Sequence, residues 1–360
     1  MLHIQHQARI EVTMGEYYAR RRMNKFSLSG RAILLCVAVG SMGSMAGRAQ
    51  ASCGSSNCFL NTGTNEGVFA PGQVVLDLSY RYISQDTKLR GRSATNEVLV
   101  PKVDFENGEL ELAHHRERRT VNTLAQLDVN IGLAERLTLA ISLPLVNDRL
   151  HEHDDGVDID AGKNGTFTNN DGSAGFGDVT FAGKYAFYQS TRHLMVGGVG
   201  LKLPTGEYKL RNGDGEINEP TIMPGTGSYD FLLSGYYSYQ WRLHKLDSFV
   251  ALQSRFNTEN DLNYQFGNAA ILNTGLNYRL FEKVIVSGQI NARVAGRDKF
   301  NGQDVPSTGS TMIYLTPGVR LESRDETAFY AHLQLPIYQK VNEVNIVPDY
   351  GLQIGVSHSL

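Results

Sequence analysis

Hydrophobic and polar residues alternate along most of this chain with a period of two. In residues 175–188, Val179, Phe181, Tyr185 and Phe187 share one face with Gly183, while Asp178, Thr180, Ala182, Lys184 and Ala186 share the other. That period belongs to a β-strand, not to a helix. Residues 227–239 repeat the pattern Gly-x-x-Asp-(Val/Phe)-x-x-x-Gly-x-Tyr after a second long polar stretch, which implies a sheet built from similar hairpins. The same alternation predicts strands over residues 74–82, 121–133, 137–145, 175–188, 195–203, 229–241, 249–257, 270–280, 284–294, 312–321, 329–338 and 350–360. Each of these twelve segments is near the roughly ten residues that a tilted strand needs to cross a bilayer.

The connections alternate in length. Short ones lie at 134–136, 190–192, 244–245, 281–283 and 324–325. Long ones run over 86–119, 147–174, 205–227 and 295–310, with 258–264 and 339–348 as shorter members of that set. Asp77, Arg81, Asp128, Asp178, Lys184, Lys202, Asp230, Arg255, Arg293 and Arg320 all fall on the polar face of their strands. A charge facing lipid at mid-membrane costs about 2–4 kcal/mol, so this segregation is what a lipid-facing wall demands. A soluble sandwich also alternates, but it does not require loops so unequal at its two ends. The predicted fold is therefore all-β: an antiparallel up-and-down transmembrane β-barrel of about twelve strands over residues 72–360, with short periplasmic turns and long extracellular loops, in a bacterial outer membrane. Its ten charged positions line the lumen, where they either satisfy one another or border a path for a small solute. Pro144, Pro204 and Pro336 sit near predicted outer strand ends, and a residue without an N–H marks them as strand terminators at the rim.

The N-terminus belongs to a different class of sequence. Arg20, Arg21, Arg22 and Lys25 precede a mostly apolar stretch over 32–46 and a small-x-small site at Ala49-Gln50-Ala51. This is the layout of a secretory signal peptide over residues 1–51, with Met23 as an alternative start. Its removal takes seven of the 34 Lys/Arg and two of the 37 Asp/Glu, so the charge moves from −3 to −8. That balance argues against a nucleic-acid partner. Cys53 and Cys58 remain, spaced C-x4-C for an oxidising compartment; a local disulfide is the simpler reading and a metal pair the other. Residues 52–71 form an N-terminal periplasmic segment, placed to plug the periplasmic mouth.

Gly-Phe-Gly-Asp178 at the head of a strand, followed by Leu201-Lys-Leu-Pro-Thr-Gly206, resembles the outer-membrane barrels of the meta-pathway of phenol degradation family. The Cys53-Gly-Ser-Ser-Asn-Cys58 start and the His-rich loops are similar to a subgroup of such proteins known only as transporters. The resemblance implies an outer-membrane location and a role in uptake or export, in a family loosely related to channels for hydrophobic compounds. It identifies no solute.

One constellation carries candidate chemistry. His114, His115 and Glu117 lie just before the strand that starts near Thr120, and His151, His153, Asp154 and Asp155 just after the strand that ends near Leu145. A regular hairpin about Ala134-Glu135-Arg136 brings Glu117 opposite Asp154 at the outer rim. Imidazoles and carboxylates gathered there suit Zn²⁺, Cu²⁺ or Ni²⁺, with His114, His115, Glu117, His151, His153 and Asp154 as candidate ligands. Arg116, Arg118 and Arg119 in the same stretch would repel a cation, and a charge-mixed loop base is the competing reading. Residues 212–217 depart from a calcium loop at Leu210 and Thr221, and neither a phosphate loop nor a Gly-x-Ser-x-Gly elbow occurs. The expected function is passive passage of a small, hydrophobic or metal-linked solute through a polar lumen, with no enzymatic activity. The rival readings are a rim hydrolase using His153, Asp154 and Asp155, and a non-transporting metal-binding or adhesive surface barrel.

Overall fold

The computed structural model describes residues 67–158, 162–169, 171–323 and 325–360. The signal peptide expected over 1–51, the Cys53 and Cys58 pair and residues 52–66 lie outside them. Twelve long strands form the wall among the described residues: β1 Val74–Arg90, β2 Glu109–Ala134, β3 Leu137–Asp158, β4 Thr180–Gln189, β5 His193–Lys202, β6 Asp230–Arg242, β7 Leu246–Asn257, β8 Ala269–Phe281, β9 Val284–Ala295, β10 Ser310–Glu322, β11 Thr327–Val341 and β12 Val344–Ser359. Each pairs antiparallel with its neighbours in sequence. β1 pairs with both β2 and β12, from Val74↔Ile131 on one side and Val75↔Ser359 on the other, so the sheet closes and no edge is left.

The wall is inverted relative to a soluble protein. Leu233, Leu252, Leu272 and Ile354 point outward and are 43–55% exposed, while Asp77, Asn130, Asn291 and Thr316 point inward and are buried. Along β6, exposed Phe231 stands near one end of the strand and exposed Tyr237 and Trp241 near the other. Apolar residues between two aromatic girdles are the outer surface that a bilayer selects.

Four expectations need correction. First, the strands run far past the lipid band: β2 has 26 residues and β3 has 22. Beyond the lipid both faces meet polar surroundings, so hydrophobic alternation fades while the hydrogen-bond ladder continues. Second, residues 175–179 are not part of the wall strand. β4 begins at Thr180, and Val179 is 8% exposed, held by a hydrogen bond from its N–H to Thr205 Oγ1 (2.9 Å) and by Leu203 N–H donating to its carbonyl (2.8 Å). Third, the 339–348 connection is a tight hairpin between Val341 and Val344, with Glu343 at a φ of 28°. Fourth, Pro204 does follow the end of a strand, but Pro144 and Pro336 sit at bulges inside β3 and β11.

At the periplasmic end, residues 67–73 run against the inner wall. Phe69 N–H donates to Thr138 Oγ1 (2.8 Å) and Gly72 N–H to the Gly132 carbonyl (2.9 Å). A Cβ at position 132 would lie 1.9 Å from the Ala70 carbonyl oxygen, so this close passage requires glycine. At the outer end, a cluster of Val103, Tyr264, Phe266, Phe300 and Val305 ties together the β1–β2, β7–β8 and β9–β10 loops. Tyr264 Oη donates to Asp298 Oδ2 (2.7 Å) beneath it.

Candidate functional site

The site has two tiers. The lower one is the lumen. All ten charged positions expected there face inward: Asp77, Asp178, Lys202, Asp230 and Arg293 are buried, and Arg81, Asp128, Lys184, Arg255 and Arg320 are half-buried. A cavity of about 180 Å³ is bordered by seven of them, Asp77, Arg81, Asp128, Asp178, Lys184, Lys202 and Arg255. Arg320 instead approaches Glu322 (3.7 Å) near the β10–β11 turn. Lys202 Nζ lies 2.7 Å from Asp178 Oδ2 and 3.0 Å from Asp230 Oδ2, an ion triad drawn from β5, the approach to β4 and the start of β6.

That triad anchors the long β5–β6 loop, residues 203–229. Lys202 Nζ also donates to Thr226 Oγ1 and to the Ser228 carbonyl, and Asp178 accepts from Gly206 N–H (3.0 Å) and from the N–H and hydroxyl of Thr226 (3.0 and 2.8 Å). The loop's two stems touch backbone to backbone: a Cβ on Gly225 would lie 2.4 Å from the Gly206 carbonyl oxygen. Further along, Asn147 Nδ2 donates to the Pro224 carbonyl (2.7 Å), Ser173 Oγ to that of Ile222, and Asn260 Nδ2 to that of Thr226 (2.9 Å). These anchors come from three separate parts of the chain. They hold a short 3-10 turn, Pro220–Ile222, with Ile222 and Met223 both 2% exposed. The loop is thereby folded into the outer mouth. A cavity of about 60 Å³ beside it is bordered by wall residues Gln85, Thr120 and Ile346 and by loop residues Glu219–Ile222, with Val100, Val103, Tyr264 and Val305 supplying apolar surface.

The upper tier is the histidine cluster on the extended ends of β2 and β3. Arg118, 52% exposed on the outer surface, would be penalised by lipid, so the lipid band ends below it. The register differs from a regular hairpin by one residue. Bulges between Gly132 and Ala134, Ala125 and Gln126, and Glu117 and Arg119 leave Glu117 opposite His153 and Arg116 opposite Asp154. Four of the six expected ligands, His115, Glu117, His151 and His153, are buried together on the inner side. The ring centroids of His151 and His153 are 4.6 Å apart, and those of His115 and His153 are 5.0 Å apart. His114 stands beside them, 3.3 Å from both Glu111 and Asp155. Asp154 is turned to Arg118 (2.8 Å) and Arg116 (3.6 Å) and does not join the cluster. The same pairing removes two of the arginines that would repel a cation: Arg116 also meets Glu97 (2.7 Å). His153, Asp154 and Asp155 each have a different partner, Asp171, Arg118 and His114, so the three residues of the hydrolase reading are not gathered on one point.

The loop contributes a member that the sequence did not single out. Glu219 Oε1 lies 3.1 Å from His115 Nε2, and His115 Nε2 lies 3.4 Å from Glu117 Oε1. One ligand atom each from His115, Glu117, His151 and Glu219 all fall within 4.8 Å of one another. Glu219 precedes Pro220, which holds it in an extended conformation (φ −62°, ψ 138°). Burial alone would lower the pKa of His115, but Glu219 and Glu117 outweigh it and hold it at about 9. Burial would likewise raise Glu117, yet His151 and His115 pull it down to about 2. His153, buried and beside His151 and His115, is pushed down to about 3 and is a neutral base at pH 7. Two imidazoles and two carboxylates converging in a buried pocket fit a transition-metal dication.

A closed twelve-stranded wall, an apolar belt between aromatic girdles and a charged interior define an outer-membrane β-barrel. A family model described as "Putative MetA-pathway of phenol degradation" matches residues 78–341, and the chain belongs to that family. Among solved structures, an outer membrane channel from Pseudomonas putida F1 is similar over 84% of this chain and 100% of its own, with a TM-score of 0.57 at 11% identity. The NanC porin (79% and 100% covered, TM-score 0.42, 10% identity) and the Pseudomonas putida toluene transporter TodX (86% and 94% covered, TM-score 0.40, 9% identity) are more distant. No curated protein matches the sequence.

Proposed function

We propose that the protein is an outer-membrane channel that passes a small, largely apolar solute carrying a polar group. The observation that carries this reading is the order of surfaces along the barrel. A solute entering from outside meets the small, mostly apolar cavity beside Ile222 and Tyr264 and then the larger charged cavity at Lys202 and Arg255. An apolar antechamber selects by hydrophobic contact, and a polar lumen offers partners to a hydroxyl or carboxylate. The family description, a phenol-degradation pathway, agrees with an aromatic solute of this kind. The inward-folded 203–229 loop makes the path narrow, so passage is slow and selective rather than porin-like. Flux into proteoliposomes tests the reading: phenol or benzoate is expected to enter faster than a neutral sugar of similar size. Equal rates for both, or rates no greater than in empty liposomes, would refute it.

A further inference from the structure

The histidine cluster joins two parts of the molecule that a gate would have to separate. His115, Glu117 and His151 belong to the wall, whereas Glu219 belongs to the loop folded across the mouth. We propose that these four residues form a divalent transition-metal site, with Zn²⁺ the best-fitting ion, and that the bound ion latches the 203–229 loop to the wall. The latch role rests on the channel reading; the metal site does not.

The charge balance favours a dication. With His115 releasing its proton to solvent as the ion binds, two carboxylates and two neutral imidazoles cancel a charge of +2, and a neutral set is what a buried site tolerates. The donor chemistry favours zinc over calcium or magnesium, which take oxygen ligands. Tetrahedral zinc with bonds near 2.0–2.1 Å separates its ligand atoms by about 3.3 Å. The gaps of 3.1 Å from His115 Nε2 to Glu219 Oε1 and 3.4 Å from His115 Nε2 to Glu117 Oε1 need only small adjustments to reach that. His151 is oriented from behind, its Nδ1 3.1 Å from Thr120 Oγ1, while its Nε2 has no hydrogen-bond partner. Glu117 Oε2 is buried without a hydrogen bond as well. Unpartnered buried polar atoms are costly unless something binds them. Arg116 and Arg118, the cations nearest in sequence, are neutralised by Glu97 and Asp154.

The test uses the full mature chain refolded in detergent, stripped with chelator and titrated with ZnCl₂ in a calorimeter. A single Zn²⁺ is expected with a Kd below about 1 μM. Glu219→Gln, on the loop and not in a wall strand, is expected to weaken binding about 100-fold, and so is His151→Ala. Lys209→Gln, on the same loop but outside the cluster, is expected to bind as the wild type does. Wild-type affinity in both ligand variants, or no binding at all, overturns the site. The latch is read by trypsin cleavage at Lys209 and Arg211, both exposed on the loop. Zn²⁺ is expected to slow cleavage severalfold in the wild type and not in Glu219→Gln. Unchanged cleavage with zinc bound overturns the latch. Neither readout needs solute flow, so a barrel that never conducted would sink the channel reading by itself.

Discussion

Replacing Lys202 by methionine removes the cation of the ion triad while keeping its length. Asp178 and Asp230 are then left buried, at 5% and 1% exposure, with the ammonium that sat 2.7 and 3.0 Å away gone. Removing one member of a buried ion pair costs about 3–5 kcal/mol, because the remaining charge stays desolvated. The two carboxylates differ in what they keep. Asp178 still accepts from Gly206 and twice from Thr226, whereas Ser228 Oγ (2.9 Å) is the donor that remains to Asp230. The loss is therefore expected near the lower end, about 3 kcal/mol, and most of it belongs to Asp230. Lys202→Met/Asp230→Asn should recover at least half. Urea unfolding from phospholipid vesicles measures it, with the fluorescence of Trp241, the chain's one tryptophan, as reporter. A Lys202→Met barrel within about 1 kcal/mol of wild type, or a double variant no better than the single one, would refute the reasoning.

Other predictions follow from the wall, the loop stem and the rim. Leu252→Arg, on the exposed outer face of β7, should destabilise the barrel by about 2–4 kcal/mol, while Gln253→Arg, on the lumen side, should cost far less; equal losses in the same urea assay would contradict the face assignment. Gly225→Val must push the Gly206 backbone aside and should open the 203–229 loop to trypsin, at a cost of about 1–3 kcal/mol; wild-type resistance would contradict the stem contact. In the metal-stripped protein, the raised His115 contributes stability that is full below pH 6.5 and is lost as pH rises through about 9. The lowered Glu117 contributes above pH 4.5 and loses its share as pH falls through about 2. The lowered His153 opposes folding as pH falls below 6.5, so loop cleavage, normalised to an unstructured peptide, should be slowest near pH 6.5 and rise toward pH 9; a flat profile would contradict the His115–Glu219 contact.

The parts of the fold that touch lipid were legible in the sequence. A strand such as Asp230–Arg242 must alternate Phe231, Leu233 and Tyr237 with polar or small residues, because one face meets hydrocarbon and the other does not. Above the lipid that constraint lapses. The outer halves of β2 and β3 therefore read as loops, although their pairing continues to Arg116↔Asp154. The histidines were visible as residue types, but their grouping depended on three bulges that no short pattern announces. One slip in register exchanged Asp154 for His153 opposite Glu117. Glu219 was not legible, because it reaches the cluster through the inward path of a loop held by Asn147, Ser173 and Asn260, contacts remote from it in sequence.

The central claim is that a closed barrel conducts through a mouth narrowed by the 203–229 loop. Planar-bilayer conductance tests it most directly, comparing the wild type with a variant whose residues 208–223 are replaced by a short Gly-Ser link. The account predicts small, interrupted conductance steps in the wild type and severalfold larger, steadier ones in the variant. Folded barrels that give the same conductance with and without the loop, or none in either form, would contradict it.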